Sequence, residues 1–154
     1  INSYKIVLGK FLANQTLIIV SLLPSLLYVI TIYYLGETIG NLDLAGIVGS
    51  YIGLFLLSSI FTSFGLFASS LTESQILSFI SALFICFFFF IGFEQIASLL
   101  SYTGMELSIE KLGVNYHYNA ISRGVIDTRD LLYFISVILL FIFASTMSIK
   151  SRKW

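Results

Sequence analysis

Four long apolar runs dominate this chain, and almost every charged residue lies between them. The runs are Phe11–Leu35, Leu44–Leu71, Ile76–Leu100 and Leu131–Ser148, and Glu94 is the one charged residue inside them. Even the shortest run, as an α-helix, extends about 27 Å at about 1.5 Å per residue. That length is close to the thickness of the hydrocarbon core of a bilayer. The runs therefore predict an integral membrane protein.

The composition argues against an ordinary soluble domain. Of the 154 residues, 58% are hydrophobic and 10% are charged, whereas a soluble domain carries about 25% charged residues. The formal net charge is zero, so no nucleic-acid partner is indicated. We predict an all-α fold, in which residues 1–154 form one polytopic membrane helix bundle. It has four transmembrane helices and short interfacial helices.

Lysine and arginine residues are unevenly distributed between the two ends of the predicted bundle. Those that flank the first and last spans are Lys5, Lys10, Lys150, Arg152 and Lys153. Those that lie before the last span, together with several carboxylates, are Lys111, Arg123 and Arg129. Because cytoplasmic segments carry the excess of lysine and arginine, both chain ends are predicted to be cytoplasmic. We call that end of the bundle inner and the opposite end outer.

The connections between the spans carry helix-start signals. Thr72 and Gln75 are spaced as the N-cap and N3 residues of a capping box that would open the third span. The outer segment, Ser101–Arg129, carries too much charge to span and is predicted to form one or two short interfacial helices. Asp127 and Asp130 are expected to open the last span, since carboxylates favour the positive end of a helix dipole.

Small residues mark one face of the second span. Gly46, Gly49 and Gly53 lie along it, and the last two form a GxxxG pattern that lets helices approach closely. We predict that these three glycines are helix-packing residues. Two partners remain open: another helix of the same chain, or a second copy at a dimer seam.

Two further residues stand out within the spans. Pro24 lies in the middle of the first span, where proline removes a backbone hydrogen bond and kinks the helix. The kink is either static or a hinge used in gating. Glu94 is costly in lipid and is a candidate for function by default. It either reaches the outer interface or lines a polar translocation path.

The sequence contains no pattern that indicates an enzyme. It has neither a Walker A motif nor a Rossmann glycine pattern. His117 with Glu106 and Glu110 matches no metal-ligand spacing, and Ser122 lacks a nucleophile elbow. We therefore predict no catalytic residue, no metal and no cofactor. An active function would draw its energy from a partner.

Two segments resemble the ABC-2 type transporter permeases. Ser3-Tyr-Lys-Ile-Val-Leu-Gly-Lys-Phe-Leu12 is similar to the cytoplasmic coupling helix of that family and the span that follows it. The segment from His117 to Phe134 looks like the family's outer segment before the last span, and most closely like gliding-motility-associated permeases of the Gld F-subunit type. The residues that carry this outer motif are His117, Ser122, Arg123, Gly124, Asp127, Arg129 and Asp130.

The resemblance implies a membrane subunit of a larger transporter. It implies six spans, of which this chain, which begins at Ile1, would contain the last four. It further implies a cytoplasmic ABC ATPase, a second permease subunit in a homo- or heterodimer, and a place in the bacterial inner membrane. The residues that would contact the ATPase are Ser3, Tyr4, Lys5, Leu8, Gly9 and Lys10.

Two alternatives to transport driven by an ATPase remain. The chain could be a structural membrane subunit that anchors a motility or secretion apparatus without transporting anything. It could also be part of a secondary transporter, which predicts an internal repeat. No repeat relates the first two spans to the last two, and the spans lack the chains of carboxylates that relay protons.

Overall fold

The structure is a computed structural model that describes residues 2–152, so Lys153 of the predicted inner cluster lies outside the described residues. Within that range the regular structure is entirely helical, which confirms the all-α prediction. Four helical stretches are long and apolar enough to cross a membrane: Ser3–Leu35, Leu44–Leu71, Gln75–Leu99 and Thr128–Ser151. In the first and third, the most apolar 18-residue window contains no residue that is buried inside the chain. In a bilayer such apolar faces contact lipid and need no protein cover.

The first membrane-crossing stretch is two helices joined at Pro24. Helix α1 covers Ser3–Leu22 and α2 covers Leu26–Leu35, with a short 3-10 turn, Leu23–Ser25, between them. Pro24 has no N–H to donate to the helical hydrogen bonds, and the backbone around it forms the tighter 3-10 turn instead. The Ser25 hydroxyl lies 2.7 Å from the Tyr51 hydroxyl, so this irregular turn is bonded to the next span.

Helix α3, Leu44–Leu71, is the central element and contacts α1, α4, α7 and α8. Its bounds coincide with the predicted run. Phe64 is fully buried and its ring lies 4.6 Å from that of Phe141 and 4.9 Å from that of Phe89. These aromatic contacts form the core of the bundle, where rings prefer tilted and edge-to-face arrangements.

The third membrane-crossing stretch is interrupted by a π-helical segment that the sequence did not predict. Helix α4, Gln75–Phe87, leads into π-helical residues Phe88–Gly92 and then into α5, Phe93–Leu99. A π-helical turn inserts extra backbone into a helix and shifts the faces of the residues that follow. The ring of Phe89 within it contacts Phe64 and Phe141, so the irregular segment packs on the core.

The predicted capping box at Thr72 is wrong. Helix α4 begins at Gln75, and its N-cap is Ser74, whose hydroxyl accepts a hydrogen bond from the Leu77 amide at 3.4 Å. The Thr72 hydroxyl accepts from the Ser74 amide instead, at 3.1 Å. Thr72 is the C-cap residue of α3, and its backbone there is extended. The connection between α3 and α4 is short, and the chain reverses direction within it.

The outer segment forms two short α-helices, α6 at Glu106–Glu110 and α7 at Val114–Ser122. Helix α8 follows at Thr128–Ser151 and extends beyond the predicted run at both ends. Helix α1 also starts before the first predicted run, at Ser3 rather than at Phe11. The backbone hydrogen bonds of these helices continue through polar residues beyond the ends of the apolar runs. Hydropathy marks only the ends of the runs, so it does not show the full length of the helices.

Candidate functional site

The inner end of the bundle brings together both ends of the described chain and the turn between α3 and α4. A cleft of about 300 Å³ is lined by Val7 and Lys10 of α1, Ser70 of α3, Ile149 of α8 and Arg152, which directly follows α8. At this end α8 is also bonded to α3, since the Ser148 hydroxyl donates to the carbonyl oxygen of Ser70 at 2.9 Å.

The predicted ATPase-coupling residues are the first two turns of α1 and are continuous with the span. Ser3 is buried, so this face of the helix is turned toward the rest of the bundle. Among the other coupling residues, Leu8 is half-buried, whereas those that are exposed are Tyr4, Lys5, Gly9 and Lys10. No atom lies within 4 Å of where a Gly9 Cβ would be. The helix therefore presents one free face at its inner end.

A buried polar contact joins α1 to α3 farther along the span. The Ser59 hydroxyl donates to Gln15 Oε1 at 2.8 Å, and both residues are buried. The other amide atom, Gln15 Nε2, is buried and lacks a hydrogen-bond partner among the described residues. Hydrogen bonds between spans hold helices together where lipid offers no alternative partner.

The glycine face of α3 packs on α7 of the same chain. A Cβ at Gly49 would lie 2.7 Å from the Gly124 Cα and still closer to the backbone of Ile121, so only glycine fits there. A Cβ at Gly53 would lie 3.2 Å from the Tyr118 ring. Gly46 is different, because a Cβ there would meet the Asp43 carboxylate that caps α3. At Gly49 and Gly53 the structure thus places an intrachain partner.

His117 and Asp130 form a buried pair that links α7 to the start of α8. His117 Nδ1 lies 2.5 Å from Asp130 Oδ1, and His117 Nε2 lies 2.8 Å from the carbonyl oxygen of Lys111. Both side chains are close to nine-tenths buried. Each ring nitrogen faces an acceptor; a neutral ring donates to one of them, and an imidazolium to both. Asp130 lies in the first turn of α8, as expected, and it is also the partner of His117.

Tyr133 completes this arrangement, although sequence analysis did not select it as a site residue. Its ring stacks on His117 at 4.0 Å with an interplanar angle of 19°, and its hydroxyl donates to the Leu112 carbonyl oxygen at 2.6 Å. We call His117, Asp130 and Tyr133, with the Lys111 and Leu112 carbonyls, the outer clasp. The sequence feature that could have indicated Tyr133 is its position three residues after Asp130, which places both on one face of a helix.

The remaining residues of the outer motif shape the turn between α7 and α8. Gly124 has a φ of +88°, a conformation that L side chains rarely adopt. Asp127 caps α8 by accepting from the Arg129 amide at 3.1 Å. The Ser122 hydroxyl donates to the Asn119 carbonyl oxygen, not to His117, so no nucleophile–base pair forms. The side chains of Arg123 and Arg129 are exposed.

Glu94 lies in α5 and is exposed at the outer side of the core. Its Oε2 accepts a hydrogen bond from Asn115 Nδ2 of α7 at 2.9 Å. The carboxylate is thus bonded to the outer segment. Among residues 2–152, no group of three or more histidine, cysteine, aspartate or glutamate side chains is arranged to hold a metal ion.

Comparison with known proteins gives one match. A family model described as "ABC-2 family transporter protein" matches residues 4–123, which is about three quarters of the chain. No curated protein and no solved structure matches it. The matched range includes the inner end of α1, the glycine face of α3 and His117, while Asp130 and α8 lie beyond it.

Proposed function

The chain belongs to the ABC-2 family of transporter proteins and is a permease of an ABC transporter, and we propose that a separate cytoplasmic ABC ATPase drives it. As a transport membrane subunit it need not carry catalytic residues itself. The proposal rests mainly on the position and exposure of the inner end of α1. It lies within the range that matches the family, and it presents an exposed face with two lysines next to the membrane-crossing stretch.

The shape of α1 suits the transmission of force from a partner. The helix runs without interruption from Ser3 to Leu22, which corresponds to about 30 Å at about 1.5 Å per residue. Tyr4 offers an exposed anchor, while Lys5 and Lys10 offer positive charge to an acidic groove. A displacement at this end moves a rigid rod whose far end is the 3-10 turn at Pro24. In this proposal Pro24 is the hinge.

The finer parts of the proposal rest on the resemblance of the two quoted segments. We propose a second permease subunit as partner, a bacterial inner membrane as location, and a link to gliding motility. Glu94 is proposed to line the outer end of the translocation path, because its carboxylate is exposed beside α7. Since Gly49 and Gly53 are occupied by α7, the seam with the second subunit is proposed to lie elsewhere.

The experiment is co-purification of the ATPase with the full-length permease and variants at the inner end of α1. Charge reversal by Lys5→Glu, and the double change Tyr4→Ala with Leu8→Ala, should weaken ATPase binding or uncouple hydrolysis from transport. Membrane insertion should persist, because these residues precede the apolar run. Lys111→Glu is the matched control: it reverses the same charge at the opposite end and should leave ATPase binding unchanged.

Normal ATPase binding and normal transport in both inner variants would show that this segment only anchors the helix at the interface. A structural subunit that anchors an apparatus makes a different prediction. It would assemble with its partners and would show no ATP-dependent movement of any substrate. Reconstitution of the purified complex in vesicles, with hydrolysis measured beside assembly, separates these two functions.

A further inference from the structure

The cleft of about 300 Å³ at the inner end of the bundle, which we call the inner cleft, is lined by two cations and by no carboxylate of residues 2–152. The cations are Lys10 of α1 and Arg152, and both are exposed. The one ion pair among the described residues joins His117 and Asp130 at the outer end. No described carboxylate therefore lies within 4.0 Å of Lys10 or Arg152.

The excess of positive charge extends over the whole inner end. The cations that the structure describes there are Lys5, Lys10, Lys150 and Arg152, and Glu73, in the turn between α3 and α4, is the one described carboxylate. Helix dipoles do not offset the difference. Helices α1 and α4 begin at this end while α3 and α8 end there, so their partial charges of about half an elementary charge each cancel. Four cations against one carboxylate favour an anionic ligand.

The other residues of the inner cleft suit a ligand that is partly apolar. Val7, Leu66 and Ile149 line it with aliphatic side chains. Ser69 lines it as well and is exposed, so its hydroxyl can donate to an acceptor there. The volume is at the lower end of the range of about 300–1,000 Å³ that is typical of small-molecule sites. The inner cleft therefore has room for a headgroup, with any attached chains lying outside it.

We propose that the inner cleft binds the phosphodiester headgroup of an anionic phospholipid. A guanidinium and an ammonium group both form charge-assisted hydrogen bonds with phosphate oxygens, and basic pockets between membrane helices typically bind such headgroups. The depth agrees, because Lys10 directly precedes the first apolar run and Arg152 directly follows the last membrane-crossing helix. A soluble phosphate would use the two cations and leave the aliphatic lining without a partner, whereas a phospholipid uses both.

The test titrates phosphatidylglycerol, and in parallel the zwitterionic phosphatidylcholine, into the purified full-length protein in an uncharged detergent. Native mass spectrometry counts the lipid molecules retained. Lys10→Gln and Arg152→Gln should each weaken the retention of phosphatidylglycerol about tenfold, as expected for the loss of a charge-assisted hydrogen bond. Lys150→Gln is the matched control: it removes the same charge at the same end, two residues from Arg152, but does not line the cleft, and its retention should stay close to wild type.

Preferential retention of phosphatidylglycerol, lost in the two cleft variants and kept in Lys150→Gln, would support the proposal. Equal retention of the two lipids would overturn it, and so would an equal loss in all three variants, which would indicate a general attraction to positive charge. Binding of inorganic phosphate, measured by calorimetry, without retention of phosphatidylglycerol would also overturn it. Since no ATPase is present, these outcomes are independent of the coupling proposed for α1, although Lys10 belongs to both surfaces.

Discussion

The outer clasp makes a quantitative prediction about folding stability. His117→Ala removes the ring that bridges Asp130 of α8 and the Lys111 carbonyl, and it also removes the stack on Tyr133. The Asp130 carboxylate stays behind, 6% exposed and without its partner. Because this change leaves a buried charge unpaired, we expect it to be among the most destabilising single substitutions in the outer segment.

The magnitude follows from the contacts that are lost. A hydrogen bond to a charged group contributes about 1.5–3 kcal/mol and a neutral one about 0.5–1.5 kcal/mol. The ring stack adds about 0.5–1.5 kcal/mol. For the whole change we therefore expect a loss of about 3–5 kcal/mol, the range measured when one partner of a buried pair is removed. Asp130→Asn keeps the shape and loses only the charge, so we expect about 1.5–3 kcal/mol.

The assay is unfolding of the detergent-solubilised protein, followed by far-UV circular dichroism as denaturant is added. The double variant His117→Ala with Asp130→Ala should cost about as much as the worse single variant, because the second change removes the unpaired group. Asn119→Ala is the matched control on the exposed face of α7, and it should stay within about 0.5 kcal/mol of wild type. Simple additivity of the two single effects would refute the reasoning, since contacting residues should be coupled.

Two further predictions concern packing and topology. Gly49→Ala should destabilise the contact of α3 with α7 by more than about 1 kcal/mol, because overpacking forces backbone shifts; Gly65→Ala on the same helix meets nothing within 4 Å and should be neutral or slightly stabilising in unfolding experiments. In a cysteine-free background, Thr38→Cys should react with an impermeant thiol reagent added to intact cells and Ser151→Cys should not. Both positions are exposed, and external labelling of position 151 would reverse the predicted topology.

The spans could be predicted because the bilayer imposes a minimum length on any apolar run that crosses it. The bounds of α3 agree with the predicted run, Leu44–Leu71, since its polar flanks end both the run and the helix. The π-helical segment Phe88–Gly92 could not be predicted in the same way. Phenylalanine is equally apolar in an α-helix and in a π-helix, so hydropathy does not distinguish them. The choice between an α-helical and a π-helical backbone depends on ring packing against Phe64 and Phe141.

The site was harder to predict than the fold. His117 and Asp130 were both selected as residues of the outer motif, but nothing in a single sequence indicated that they contact each other. They are 13 residues apart and lie in different helices. Their contact depends on the tight turn at Gly124 and on the close approach of that turn to α3. Local patterns identify polar residues worth attention, and tertiary packing decides which of them meet.

Helix α3 connects the first membrane-crossing stretch with the outer segment. Near its outer end, the Ser50 hydroxyl donates to the Ser122 carbonyl oxygen of α7 at 3.3 Å. The next residue, Tyr51, is bonded to Ser25 beside Pro24. The 3-10 turn of the first span and the outer segment therefore attach to adjacent residues of one helix. If the ATPase moves α1, any change at Pro24 acts on α3 one residue from the contact that positions α7, and the outer clasp then holds α7 to α8.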